Sequence, residues 1–144
     1  MGENMLLGSD VYKEKYEVVK KIGEGGFGKV FSVKNKESGE IFAAKYINTH
    51  TRQDKLMHRK EISMLKSLQS DFILQFVDAF EGPKELILVT EYLDGGELFD
   101  RIVDDKIEVL ESDCCNFMKQ ICKGLDYLHT NSIVHLDIKV FLYY

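Results

Sequence analysis

The sequence predicts an α+β fold, an antiparallel sheet with one long helix followed by a helical part. Two observations carry that prediction. Runs rich in Val, Ile, Phe and Tyr, parted by glycine and polar turns, fill the first half, whereas residues 111–130 place apolar side chains at helical spacing. Size is the third constraint: 144 residues with 44% hydrophobic positions can form one ordinary core, burying roughly 68–70% of the surface of the unfolded chain.

The elements follow in order. Residues 16–23, 29–34 and 41–48 read as a three-stranded meander, broken by Gly25-Gly26 and by the turn Glu37-Ser38-Gly39-Glu40. Over 54–68 the period becomes helical, with Met57, Met64, Leu65 and Leu68 on one stripe. Two further strands, 73–80 and 86–92, meet at Gly82-Pro83, the only proline of the chain. The turn Leu93-Asp94-Gly95-Gly96 separates this β-rich part from a helix over 111–130, where Cys114, Phe117, Ile121, Leu125 and Leu128 share a face and Ser112 is the expected cap. Residues 136–144 are mostly apolar. No internal repeat or low-complexity segment interrupts the chain.

Composition excludes several classes of function. The net charge of −5, from 19 basic and 24 acidic residues, argues against a general nucleic-acid binder. No apolar run approaches the ~18 residues of a spanning helix, so no membrane role is expected. Glu3 and the lack of a basic stretch before an apolar one do not suit a secretory signal, and Leu6 stands where a myristoylation site wants Ser or Thr. Cys114, Cys115 and Cys122 are odd in number, which suits a reducing compartment better than a disulfide framework, and no His joins them at a zinc-finger spacing. A cytoplasmic location is the expectation, and no metal site is expected.

Three features could carry chemistry. Gly23-Glu24-Gly25-Gly26-Phe27-Gly28-Lys29-Val30 is a G-x-G-x-x-G-x-V run, whose glycines would let backbone N–H groups approach an anion. By itself it is equally a hairpin turn. A dinucleotide fold would open a helix after these glycines, and here a strand continues. Alternation along 41–48 puts Lys45 on one face with Ile41, Ala43 and Ile47, so an ammonium projects from an apolar surface, or simply reaches solvent. Glu61 falls inside the apolar stripe of the helix. A buried carboxylate is costly unless paired, and Lys45 on the preceding strand is the natural partner, the alternative being a half-exposed stripe with Glu61 in water. The three together favour a phosphate-binding arrangement.

Further motifs follow in order: Thr90-Glu91-Tyr92-Leu93, Gly95-Gly96-Glu97-Leu98-Phe99 and His135-Leu136-Asp137-Ile138-Lys139. With the glycine run, Ala43-Ala44-Lys45 and Arg59-Lys60-Glu61-Ile62, they resemble the N-terminal part of a eukaryotic protein kinase. Within that family the sequence most resembles the calcium/calmodulin-dependent group, of the myosin light chain and titin/twitchin type. The resemblance implies an N-lobe with a five-stranded antiparallel sheet and one long helix over 16–92. It further implies an extension over 1–15, a hinge and partial helical C-lobe over 93–139, and a divergent tail over 140–144.

It also implies roles. Gly23, Gly25, Gly28 and Val30 would cover ATP, with Val30 and Ala43 against adenine. Lys45, paired to Glu61, would hold the α- and β-phosphates. Thr90 would be the gatekeeper, the backbones of Glu91 and Leu93 would bond the adenine edge, and Glu97 would lie near the ribose or a basic substrate residue. Asp137 would accept the proton of a protein Ser or Thr hydroxyl and Lys139 would steady the transferred phosphate. His135 would be a packing residue.

Two departures qualify these expectations. Leu136 replaces the usual Arg that pairs with a phosphorylated activation loop, implying control by another route. After Lys139 the family pattern Pro-Glu-Asn is replaced by Val140-Phe141-Leu142, which puts Leu142 in place of a magnesium-holding Asn. The sequence also contains no Asp-Phe-Gly. Mg²⁺ is expected for the family but its protein ligands are absent from these residues, and calmodulin could act only through a segment outside them. A truncated, inactive kinase is therefore expected, with a non-catalytic nucleotide- or partner-binding short form as the alternative.

Overall fold

The computed structural model describes residues 6–25, 28–104, 106 and 108–138. They fall into two units, Met1–Gln69 with Leu74–Tyr92, and Ser70–Ile73 with Leu93–Tyr144.

The first unit is built on a sheet. Its strands are β1 (Leu7–Gly8), β2 (Tyr16–Gly25), β3 (Gly28–Asn35), β4 (Ile41–Asn48), β5 (Phe76–Glu81) and β6 (Glu85–Glu91), with helices α1 (Ser9–Lys15) and α2 (Arg52–Lys66). Spatial order is β1-β5-β6-β4-β3-β2. Five strands are antiparallel, as expected, and a sixth is added: β1 runs parallel to β5, with Leu7 opposite Phe80.

Residues 7–15, expected as part of an extension, are thus part of this unit. The reason is aromatic. Tyr12 and Tyr16 are buried against Val33, Ala44, Phe80, Ile87 and Val89, with Phe31, Phe42 and Tyr46 closing the cluster. The Tyr12 ring stacks on Tyr16 at 5.6 Å and meets Phe80 edge-on at 5.3 Å, while the Tyr46 hydroxyl donates to that of Tyr12 at 2.8 Å. Lys15 adds an ion pair to Asp78 of β5 at 2.6 Å.

Helix α2 packs on the other face of the sheet, where Ile62 joins Ile47, Ala79 and Leu86. It starts with a capping box, Thr51 Oγ1 accepting from Asp54 N and Asp54 Oδ2 from Thr51 N, both at 3.0 Å. Its rotation differs from the stripe expected from the sequence. Of that stripe Leu68 is buried and Leu65 half-buried, but Met57 and Met64 are exposed, and Lys55 and Arg59 face the sheet and grip Glu81 of β5. Arg59 reaches both Glu81 oxygens, Nε to Oε2 and one terminal nitrogen to Oε1, each at 2.7 Å, and Lys55 Nζ lies 2.8 Å from Oε1.

In the second unit, α3 (Leu98–Val103) and α4 (Glu111–Thr130) are the helices. Ser112 is not the cap of α4: Leu110 is, and Asp113 accepts from its N–H at 3.1 Å. Leu128 is buried and Phe117, Ile121 and Leu125 are half-buried, but Cys114, expected on the same face, is exposed. Gly124 is buried because α4 lies against Phe72, whose carbonyl oxygen would sit 3.0 Å from an added Cβ. Among the described residues no helix is long and apolar enough to cross a membrane.

Glu81 gives the first unit an acid-sensitive joint. Partial burial raises its carboxyl, but hydrogen bonds from Lys55 and Arg59 outweigh this, leaving the pKa below the ordinary glutamate value. A depressed carboxylate contributes stability above its unfolded pKa that is lost as pH falls through the folded one. Replacing Glu81 by Ala is expected to cost about 1–3 kcal/mol near neutral pH, because two cations lose their partner. It should also flatten the acid limb of the urea-unfolding midpoint against pH. An unchanged midpoint would count against the joint.

Candidate active site

Register assigns the side chains of β3, β4 and β6 to faces. Val30 lies opposite Lys45, and Lys45 opposite Leu88; Ser32 lies opposite Ala43, and Ala43 opposite Thr90. Directly opposed residues share a face, so Val30, Ala43, Lys45 and Thr90 line one side of the sheet. This is the α2 side, since Ile47, two residues beyond Lys45, belongs to the Ile62 cluster. The aromatic cluster occupies the other side.

The glycine run ends one strand and opens the next, as β2 passes into β3 with Gly23 opposite Val30 and Gly25 opposite Gly28. Residues 26 and 27 lie outside the described residues. The glycines have different reasons to be there. Gly28 has φ +125°, and an added Cβ would come within 2.0 Å of the Tyr46 carbonyl oxygen, so the approach of β4 dictates it. At Gly23 a Cβ would make an ordinary contact with Val30 at 3.8 Å, and at Gly25 it would meet nothing within 4 Å. Packing therefore does not explain Gly23 and Gly25.

Lys45 is half-buried. Glu61 is not the inward-facing residue expected from the stripe. Its side chain is 59% exposed, and its carboxylate accepts from His58 Nδ1 at 2.8 Å, one turn earlier on α2. The physical reason is the rotation set by Glu81: with Lys55, Arg59 and Ile62 toward the sheet, Glu61 lies to the side.

Thr90 is buried and its hydroxyl donates to the Glu91 carbonyl oxygen at 3.2 Å. Glu91 anchors the strand end, its N–H donating to the Gln75 carbonyl oxygen at 3.1 Å while its Oε1 accepts from Gln75 N at 2.8 Å. Sequence reasoning gave Gln75 no part, although it holds the backbone on which the adenine-edge expectation rests. Glu61, Thr90 and Glu91 are thus brought into the first unit with Gly23, Gly25, Gly28, Val30, Ala43 and Lys45.

Leu93, Glu97 and Asp137 belong to the second unit. Glu97 is half-buried and precedes α3, its carbonyl oxygen accepting from Arg101 N at 3.3 Å. Asp137 is exposed, and its N–H donates to His135 Nδ1 at 3.3 Å. His135, expected to pack, is exposed and holds the Asp137 backbone instead. Between them Leu136 is 90% exposed with φ +60°, a left-handed conformation costing a branched side chain about 1–2 kcal/mol. Lys139 lies outside the described residues, and so does Leu142. Among the described residues, no three His, Cys, Asp or Glu side chains gather as a metal site.

A strand–glycine–strand hairpin, Lys45 on the adjacent strand and a sheet-packed helix bearing Glu61 give this unit the architecture of the kinase class. Comparison with known proteins gives the same class. The model of the protein kinase domain matches residues 16–141, and the chain belongs to that family. Within it, the chain is 39% identical over 124 residues to smooth-muscle myosin light chain kinase of Gallus gallus, covering 86% of this chain and 6% of that relative. It is 43% identical over 118 residues to human myosin light chain kinase family member 4, covering 82% of this chain and 30% of the relative. A solved twitchin kinase fragment of C. elegans, described as an autoregulated protein kinase with immunoglobulin domains, superposes with TM-score 0.83 at 36% identity, over 88% of this chain and 28% of that one. The chain therefore spans less than a third of the length of these relatives.

The glycines separate by experiment. Gly28→Ala is expected to destabilise the chain by at least about 2 kcal/mol, since both the backbone angle and the Tyr46 carbonyl oppose it. Gly25→Ala should change stability by no more than about 0.5 kcal/mol. Equal effects in chemical denaturation would contradict the distinction.

Proposed function

We propose that these 144 residues bind ATP on the sheet face of Val30, Ala43, Lys45 and Thr90, as the nucleotide-holding part of a serine/threonine protein kinase of the myosin light chain kinase type. The observation that carries this reading is the shared face beside a glycine turn in which Gly23 and Gly25 have no packing reason to be glycine. Val30 and Ala43 offer the apolar contact an adenine ring needs, and the small Ala43 side chain leaves room for it. Lys45 supplies an ammonium to the α- and β-phosphates. Glu91 and Leu93 present backbone groups to the adenine edge, and Glu97 serves the ribose or a basic residue of the protein substrate. Bound ATP supplies the phosphoryl group.

Asp137 is the group that accepts the proton of the attacking Ser or Thr hydroxyl, with the backbone hydrogen bond to His135 holding its position. Lys139 follows two residues later to steady the transferred phosphate. The residues present do not fit a magnesium site: Leu142 has no donor where the family pattern has Asn. For these residues acting alone we therefore propose nucleotide binding without turnover. Glu61, turned toward His58, favours the same non-catalytic reading.

Thermal unfolding of the chain should shift upward with ATP, by the stabilisation a ligand of the native state confers. Lys45→Met is expected to remove most of that shift and Gly25→Val to reduce it. Radiolabelled transfer to a basic Ser/Thr peptide should not exceed that of Asp137→Ala. An ATP-independent melting curve would sink the binding reading, and transfer above the Asp137→Ala level would sink the non-catalytic one.

A further inference from the structure

The cleft between the start of α2 and the β5–β6 turn has no part in the nucleotide-binding reading. It measures about 660 Å³, and Thr49, Arg52, Lys55 and Lys84 are among its walls. Those walls are pinned together. The Thr49 N–H donates to the Lys84 carbonyl oxygen at 2.9 Å, and Lys55 Nζ donates to the Gly82 carbonyl oxygen at 2.8 Å while pairing with Glu81. The cleft is thus formed before any ligand arrives, which lowers the ordering cost of binding. Its charge is one-sided. Glu81 is already engaged by Lys55 and Arg59, and Asp54 closes the capping box of α2. Glu85 stands opposite Asn48, one residue out of step with Ile47, and so belongs to the aromatic side of the sheet. Arg52 and Lys84 have no carboxylate partner among the described residues.

Two kinds of hydrogen-bond donor join that charge. The capping box occupies the N–H groups of Thr51 and Asp54, but those of Arg52 and Gln53, at the positive end of a 15-residue helix, have no acceptor among the described residues. Thr49 supplies the second kind. Alternation continued from Ile47 puts its side chain on the α2 side, where it lines the cleft. The residue is only 7% exposed, and its hydroxyl makes no hydrogen bond among the described residues. A hydroxyl buried without a partner costs free energy that a bound acceptor recovers. We propose that this cleft binds a tetrahedral dianion of the phosphate class, with Arg52 and Lys84 supplying charge and the Thr49 hydroxyl and the first turn of α2 supplying donors. Two unpaired cations and three donors suit a doubly charged group with several acceptor oxygens better than a single carboxylate. The site is distinct from the nucleotide face, since Thr49 lies four residues beyond Lys45, roughly 13 Å along the strand direction.

The test is an NMR titration of the isotope-labelled full chain in which inorganic phosphate replaces chloride at constant ionic strength. Saturable shifts are expected at the amides of Arg52 and Gln53. Arg52→Gln and Lys84→Gln should each weaken the dissociation constant about three- to fivefold, as expected for a partly exposed charge pair. Thr49→Val keeps the branched shape and should weaken it about threefold with no fall in the urea-unfolding midpoint, whereas Thr49→Ser should restore it. A phosphoserine peptide that binds more tightly than inorganic phosphate assigns the site to a phosphorylated chain, and equal affinity assigns it to the free ion; either result supports the cleft. Shifts that do not saturate, or constants unchanged in Arg52→Gln and Thr49→Val, would overturn the proposal. Phosphate can also reach the glycine turn, so Lys45→Met is the control. Shifts at Arg52 and Gln53 should persist in it, and shifts confined to the glycine turn would sink this site while leaving the nucleotide-binding reading intact.

Discussion

The seating of α2 on the sheet depends on one carboxylate. Glu81 of β5 receives Arg59 and Lys55 together, with four oxygen–nitrogen contacts between 2.6 and 2.8 Å. An ion cluster of this kind, only partly desolvated, contributes less through net energy than through selection of one rotation of the helix. With Lys55 and Arg59 facing inward, Ile62 meets Ile47 and Leu86, Met57 and Met64 face solvent, and Glu61 lies beside His58.

The sheet acts as a partition. One side carries an aromatic cluster in which Tyr12, Tyr16, Tyr46 and Phe80 interlock, which leaves the other side free to present smaller and more polar residues. Strict alternation along β4 performs the sorting: Phe42, Ala44 and Tyr46 go to the aromatic core, Ala43 and Lys45 to the α2 side. The close approach of β4 at Gly28 fixes the base of the hairpin, so the turn between Gly25 and Gly28 starts from a rigid root.

Much of this was legible from the sequence. Residues 41–48 and 111–130 coincide with β4 and α4, because both carry an unambiguous period. The rotation of α2 was only partly legible: of the expected stripe Leu68 is buried and Leu65 half-buried, but Met57 and Met64 are exposed, because Lys55 and Arg59 turn to a carboxylate that lies 22 residues from Arg59. That error carried Glu61 with it. The roles of Tyr12 and Tyr16 had a signal, an i, i+4 aromatic pair straddling a helix-to-strand junction, but nothing local says that they dock on the sheet. Gly124 was likewise visible as a glycine within a helical run, yet only the approach of Phe72 explains it. The shared face of Ala43, Lys45 and Ile47 was legible because period-two alternation is a local property. The environment of Asp137 was not, because hydrogen bonding from His135 and the left-handed Leu136 depend on a loop without a period.

The two-residue strand β1 has an effect out of proportion to its length. A sheet border exposes unpaired backbone donors and acceptors that invite a strand from another molecule. At one border, β1 and the helix that follows it cover β5 where Phe80 and Glu81 would otherwise present that template. At the opposite border, β2 is interrupted by irregularities at Val18/Lys20 and Lys21/Gly23 and carries Glu17, Lys20, Lys21 and Glu24. A capped margin and a bent, charged one leave little flat template for a neighbouring molecule to extend. Crowded molecules of this chain are thereby discouraged from stacking into continuous ribbons through this sheet.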